Sequence, residues 1–326
     1  MNHVFSSSFK RCLEGFVEQK RALGYPYLES ERVLYTFDRF CCEQFPDESV
    51  LTREIGQAWA VIRAGEKPSS FQNRMAPVRE LARYINRLGL EAYIIPHDFG
   101  PKYARRYIPH IFTNTELQRF FAAADNLAEN NRCRLRHLAV PVIFRLMYCC
   151  GLRPHEARLI QRQHFNLATG ELKISESKGH KDRLVIVAPD VMSLCRRYLK
   201  RAKIEFPDSI YFFPCQRTKG GCYAAGWLRD VFEICWTASG ISGYTGNEPR
   251  PYDFRHTFAT NRIYKWLRDG KSVESFLPYL SAYMGHSKFS HTAYYIHLVP
   301  QFFPLMAEMD FAKYEKLLPE VQPNED

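Results

Sequence analysis

The sequence predicts a mainly α-helical protein carrying one small antiparallel β-sheet, an α+β chain in two folded regions. Three observations lead there. Apolar residues recur at helical spacing along most of the chain, only one pair of short β-rich runs occurs, and 326 residues with 46% hydrophobic content are enough for two cores. With 14% aromatic residues the composition excludes collagen, a coiled coil and a disordered chain.

In the first hundred residues, Phe9, Leu13, Phe16, Val17 and Leu23 mark one helical face, and Gly24 can take the left-handed conformation that ends it. A second helix starts near Ser30 and carries Val33, Leu34, Phe37, Phe40 and Cys41. A third is predicted over about 52–64, stopping at Gly65, and a fourth over about 69–88, stopping at Gly89. Short connections make these a bundle over residues 1–100. Arg79 and Arg83, four apart on the fourth helix, read as a solvated face rather than a DNA contact.

Between Ile94 and His110 the periodicity breaks into Pro96, Gly100, Pro101, Lys102, Arg105, Arg106 and Pro109, which places a linker at 101–112. Order resumes at Thr113, where Thr113 and Glu116 have capping-box spacing ahead of Leu117, Phe120 and Phe121. Leu172 to Ser175 and Leu184 to Val187 read as a hairpin around the charged turn Lys178, Gly179, His180, Lys181, Asp182. Asp190 is expected to cap a helix reaching about Lys203. Further helices are predicted over about 225–238, 253–268 and from Val273 to Met284, before Gly285. This second region spans 113–300. Residues 301–326 carry Leu305, Met306, Met309, Phe311, Leu317 and Leu318 in a helical pattern and end in an acidic tail. An amphipathic helix there needs an apolar surface, in its own domain or on a neighbouring subunit.

The chain has 45 Lys plus Arg against 35 Asp plus Glu, a formal charge of +10, and the excess lies in 111–300, with 27 basic and 16 acidic residues. A basic middle suits a polyanionic partner, because each phosphate contacted releases counterions. The start of the chain does not read as a signal peptide, and the strongest apolar run, Leu138 to Met147, is broken by Pro141 and Arg145. The ten cysteines form no Cys-x-x-Cys pair, so buried thiols in a reducing compartment are expected, rather than disulfides or a zinc site. The expectation is a soluble cytoplasmic protein with no membrane contact.

Three segments hold groups that can do chemistry. In Gly151-Leu152-Arg153-Pro154-His155-Glu156, proline fits the first helical position, so Arg153 falls at a helix start where an anion is favoured; a surface pair of Arg153 with Glu156 is the other reading. Arg250-Pro251-Tyr252-Asp253-Phe254-Arg255-His256 opens another helix. Tyr252 and Arg255 share a face there, while His256 turns about 100° away. His286 follows Gly285, and the pair Tyr294-Tyr295 ends nine residues later.

Taken in order, these pieces resemble the tyrosine recombinase (phage integrase) family, whose signature is Gly-Leu-Arg-x-x-Glu, a hairpin Lys-Gly, His-x-x-Arg-His, Gly-His, and a tyrosine nine residues after that last His. Gly151-Leu152-Arg153 with Glu156, Lys178-Gly179, Arg255-His256, Gly285-His286 and Tyr295 match the five boxes. One position departs: Tyr252 stands where the family usually has His. A phenol can still donate a hydrogen bond to a phosphate oxygen but brings no positive charge at neutral pH.

The resemblance implies a core-binding N-terminal domain, a catalytic domain, and site-specific DNA recombination through a 3′-phosphotyrosine. Arg153 and Arg255 would clamp the non-bridging oxygens, Lys178 would protonate the leaving 5′-oxygen, and His286 and Tyr252 would hydrogen-bond the phosphate. Tyr295 would be the nucleophile, with Glu156 and His256 in support. It also implies no cofactor and no metal. The partners implied are double-stranded DNA with specific sites, a homo-oligomer reaching a tetramer in synapsis, and accessory DNA-bending or partner recombinase proteins, in the setting of a mobile element. The 301–326 helix would pass to a neighbour or dock in cis. A type IB topoisomerase or a non-cleaving DNA-binding regulator on the same fold are the alternatives.

Overall fold

The structure, a computed structural model, describes residues 4–101, 107–130, 133–175, 182–216, 218, 221–244, 247–286 and 288–298. Lys178 and the 301–326 segment lie outside them. The chain divides into two compact units, Met1–Arg106 and Tyr107–Asp326.

The first unit is built from four helices, α1 (Lys10–Ala22), α2 (Leu28–Gln44), α3 (Arg53–Trp59) and α4 (Pro68–Arg87). Leu13 and Phe16 of α1, Leu34 and Phe37 of α2, Ile55 of α3 and Phe71, Met75 and Leu81 of α4 form one core. Helix α3 stops five residues short of the expected end. Arg74, from α4, donates to the carbonyls of Trp59 and Val61, and Glu66 in turn binds the Arg74 guanidinium at 2.7–2.8 Å. A side chain from another helix thus satisfies acceptors that a continued helix would have used. Arg79 corrects the solvated-face reading. It is buried, and it donates to the carbonyls of Ile95 and Pro96 and to Gln72, each at 2.9 Å. Arg83 reaches His97 at 2.8 Å.

The second unit begins with α5 (Asn114–Asp125), whose capping box forms as expected: the Thr113 hydroxyl accepts the Glu116 N–H and the Glu116 carboxylate accepts the Thr113 N–H. Next come α6 (Arg136–Cys150), the short α7 (Pro154–Arg158), and strands β1 (Phe165–Asn166), β2 (Glu171–Ile174) and β3 (Arg183–Ile186) in an antiparallel sheet of order β1-β2-β3. Strand β1 has only two residues, too few for a readable alternation. In β2, Leu172 and Ile174 point inward. The register sets Leu172 opposite Val185 and Ile174 opposite Arg183, so Arg183 shares the inner face. Helix α8 (Pro189–Glu205) has Pro189 as its first residue, and Asp190 sits in its first turn rather than at the cap.

Then follow α9 (Trp227–Ala238), α10 (Asp253–Arg268), α11 (Val273–Met284), α12 (Ser290–Ala293) and a 3₁₀ turn, Tyr294–Leu298. Phe254, in the first turn of α10, is fully buried among Phe112, Phe120 and Phe144, with ring centroids 4.7, 5.1 and 5.7 Å away. That cluster fixes where α10 starts, and so where Arg255 points. Among the described residues no helix is long and apolar enough to cross a membrane. All ten cysteines are free thiols.

Candidate active site

Helix α6 ends at Gly151, whose φ of 62° is left-handed and whose Cβ, if it had one, would lie 2.6 Å from the Phe258 ring. Only glycine serves there, and the turn it makes puts Arg153 at the cap of α7. Pro154 follows, where no backbone N–H is required. Glu156 reaches back one turn: its Oε2 accepts the Arg153 N–H at 2.8 Å and its Oε1 accepts Arg153 Nη1 at 2.7 Å. The pair is not a surface feature, since the Glu156 side chain is 1% exposed.

Glu156 also accepts both terminal nitrogens of Arg183, at 2.9 and 2.7 Å. Burial raises the Glu156 pKa, but the bonds and charge of Arg183, with those of Arg153, more than reverse it and hold the carboxyl at about 2. One carboxylate therefore ties the base of the hairpin to the Arg153 loop. Arg183 was not among the residues that sequence reasoning selected. Its signal was available in the strand alternation, an arginine in phase with the buried Val185.

Arg255 is fully buried. Its Nη1 donates to the Gly151 carbonyl at 2.6 Å and its Nη2 to the Met284 carbonyl at 2.5 Å. These acceptors are the ends of α6 and α11, so one guanidinium joins three chain segments. Its Nε has no hydrogen-bond partner among the described residues. Arg153 Nη2 donates to the Gly285 carbonyl at 2.9 Å, at the same end of α11. Gly285 caps that helix with φ 63° and leaves His286 facing Arg255.

His286 Nε2 lies 3.0 Å from Arg255 Nη2 and its Nδ1 lies 2.7 Å from the Thr292 hydroxyl. Burial, then the charges of Arg255 and Arg153, hold its pKa down at about 3, so the ring is neutral at pH 7. The Tyr295 ring stacks 6.0 Å from the His286 ring. Tyr295 is 2% exposed, and burial pushes its pKa up to about 12 against the opposing charge and hydrogen bond of Arg255 and the charge of Arg153. The neighbouring Tyr294 is engaged elsewhere: its hydroxyl donates to the Tyr107 carbonyl at 3.1 Å.

His256 requires a correction. Its ring is not turned away from the site but packs 5.1 Å from Tyr252 and 5.5 Å from Tyr295, because the 3₁₀ turn bearing Tyr295 runs alongside α10. Burial, then the charges of Arg250 and Arg255, lower its pKa to about 4. Tyr252 lies close enough to Arg255 and Tyr295 to act on both electrostatically. The structure thus brings together Arg153, Glu156, Tyr252, Arg255, His256, His286 and Tyr295, while Lys178 lies outside the described residues. Among those residues no group of three or more His, Cys, Asp or Glu is placed to hold a metal ion.

What this arrangement can do is bind one tetrahedral anion between guanidinium groups beside a buried phenol. The comparisons with known proteins give the chain's family and fold. The model of the phage integrase family matches residues 110–301. A protein of Sinorhizobium fredii (strain NBRC 101917 / NGR234) named for an integrase/recombinase, y4rB, is 30% identical over 300 residues, spanning 90% of this chain and 94% of its own length. The tyrosine recombinase XerD of Lacticaseibacillus casei is 27% identical over 235 residues, 72% of this chain and 74% of its own. The fold matches that of the XerH site-specific recombinase bound to a palindromic difH substrate in a post-cleavage complex, with a TM-score of 0.61, 19% identity, and 93% of this chain and 84% of that one covered. On its sequence match and on its relatives, the chain belongs to the phage integrase family of tyrosine recombinases.

Proposed function

We propose that this chain recombines DNA at specific sites, with Tyr295 as the nucleophile. The observation that carries the reading is convergence: Arg153, Arg255, His286 and Tyr295 come from four separate elements and meet around one point. A phosphodiester held there puts its non-bridging oxygens on Arg153 and Arg255, whose planar forks offer two donors at a time and bind the pentavalent state better as charge builds. Tyr295 Oη bonds to phosphorus as the P–O5′ bond breaks. The phenol's proton passes to solvent water, and the 5′-oxygen gains one from Lys178. The phosphotyrosine keeps the bond energy, so the freed 5′-hydroxyl can attack and reseal without an external energy source.

With burial outweighing the opposing arginine charges, the Tyr295 pKa of about 12 disfavours the phenolate by roughly 3 kcal/mol in the DNA-free protein. The resting nucleophile is therefore neutral. Glu156 orients the two arginines bonded to it, and Tyr252 donates a hydrogen bond to the phosphate where the family usually has His. Residues 1–100 form a helical clamp on DNA and 113–300 the catalytic domain. Four protomers act in synapsis, and accessory DNA-bending or partner recombinase proteins join the assembly on intracellular DNA.

The test is a nicked suicide duplex, which traps a covalent protein–DNA adduct. The reading expects an adduct with the natural chain and none with Tyr295→Phe. Tight, salt-sensitive binding without any adduct would replace it with the non-cleaving regulator. Loss of supercoils without recombinant joints between two duplexes would replace it with a topoisomerase.

A further inference from the structure

Thr292 is fully buried, three residues before Tyr295, and its hydroxyl makes the 2.7 Å contact to His286 Nδ1. The other ring nitrogen, Nε2, faces Arg255 Nη2 at 3.0 Å. A guanidinium has no acceptor, so in the free protein Nε2 must present its lone pair and Nδ1 must carry the proton, which it donates to Thr292 Oγ1. That tautomer is the wrong one for binding a phosphate oxygen, which needs an N–H at Nε2. With DNA in the site, Arg255 turns its donor to the phosphate and the imidazole has to exchange its proton from Nδ1 to Nε2. A side chain on the Nδ1 side then has to donate where it previously accepted. A hydroxyl does both without moving its oxygen, whereas a carbonyl, an ionised carboxylate or a methyl does not.

We propose that Thr292 is a positioning residue for His286: its hydroxyl holds the ring with Nε2 toward the phosphate site and serves both tautomers, so that the ring passes from acceptor to donor as DNA enters. Because Thr292 and Tyr295 lie on adjoining turns, Ser290–Ala293 and Tyr294–Leu298, docking of the nucleophile's segment and orientation of the histidine are one event. The inference rests on the proposed role of His286 beside Tyr295.

Two measurements test it. The first is single-turnover cleavage of the nicked suicide duplex at saturating DNA by the natural chain, Thr292→Val and Thr292→Ser. The valine variant keeps the shape and removes the hydrogen bond. It is expected to lower the cleavage rate about 10- to 100-fold, in the range of lost orienting partners, with DNA affinity unchanged, while serine recovers most of the rate. Valine cleaving at the natural rate, or serine failing as badly as valine, would overturn the proposal.

The second measurement needs no Thr292 variant and holds even if valine fails to fold. ¹⁵N spectra of histidine-labelled protein, assigned with His286→Gln, are expected to show protonated Nδ1 in the free chain. Protonated Nε2 is expected in the Tyr295→Phe chain bound to uncleaved duplex. The same tautomer in both states would overturn the switch. Failure of the underlying reading is distinguishable, because it shows as an absent adduct in the natural chain or an adduct surviving Tyr295→Phe.

Discussion

Glu156→Gln is the substitution whose effect the structure fixes most closely. The carboxylate accepts from Arg153 Nη1, from the Arg153 N–H and from both Arg183 terminal nitrogens, all between 2.7 and 2.9 Å. Glutamine keeps the shape, removes the charge and turns an NH₂ group toward donors, leaving buried guanidinium groups without their counter-charge. Depression of the carboxyl from 4.5 to about 2 corresponds to roughly 3 kcal/mol of folding stability at pH 7. The sign follows from the lowered pKa. The contribution is complete well above pH 4.5, where the unfolded chain is also ionised, and is lost as pH falls toward 2; at pH 3 less than half of it remains. Urea unfolding of the natural and variant chains at both pH values reads this directly. The stability gap between them is expected to be about 3 kcal/mol at pH 7 and to narrow by about 2 kcal/mol at pH 3. A gap independent of pH, or one below about 0.5 kcal/mol at pH 7, would refute the assignment of Glu156 as the charge that binds Arg153 and Arg183.

Arg255→Lys is expected to lower single-turnover cleavage at least about 100-fold, because an ammonium cannot hold the Gly151 and Met284 carbonyls and a phosphate oxygen in one plane. Cleavage within tenfold of the natural rate would contradict that. Phe254→Ala removes the ring at the centre of the aromatic cluster and is expected to cost about 3–5 kcal/mol in urea unfolding. Arg79→Ala strips three hydrogen bonds from a buried site. It is expected to destabilise the first unit by more than about 2 kcal/mol, with no change in the salt dependence of DNA binding that loss of a phosphate contact would bring.

The site was legible in the sequence where local rules position a side chain. Thr113 with Glu116 and Pro154 after Arg153 are helix starts that need no tertiary information, and Gly285 before His286 is a helix stop of the same kind. The order and spacing of Arg153, Arg255, His286 and Tyr295 carried the rest of the site. Less legible were the residues whose role depends on a distant partner, which no local pattern names. Arg183 matters because β3 faces Glu156, and Thr292 because its turn faces His286. Arg79 looked exposed because charge and helical spacing cannot reveal that the 95–96 carbonyls cover it. The early end of α3 has the same origin, since Arg74 from another helix takes the carbonyls there. The 100° step places His256 relative to α10 alone and cannot show that the 3₁₀ turn packed beside that helix brings the Tyr295 ring against it.

The central claim is that Tyr295 itself bonds to phosphorus, and peptide mapping of the trapped adduct tests it most directly. After cleavage of the suicide duplex, proteolysis and mass spectrometry are expected to find the nucleotide on Tyr295, joined through a 3′-phosphate. A nucleotide on Tyr294, whose hydroxyl is held by the Tyr107 carbonyl, or one joined through a 5′-phosphate, would contradict the account.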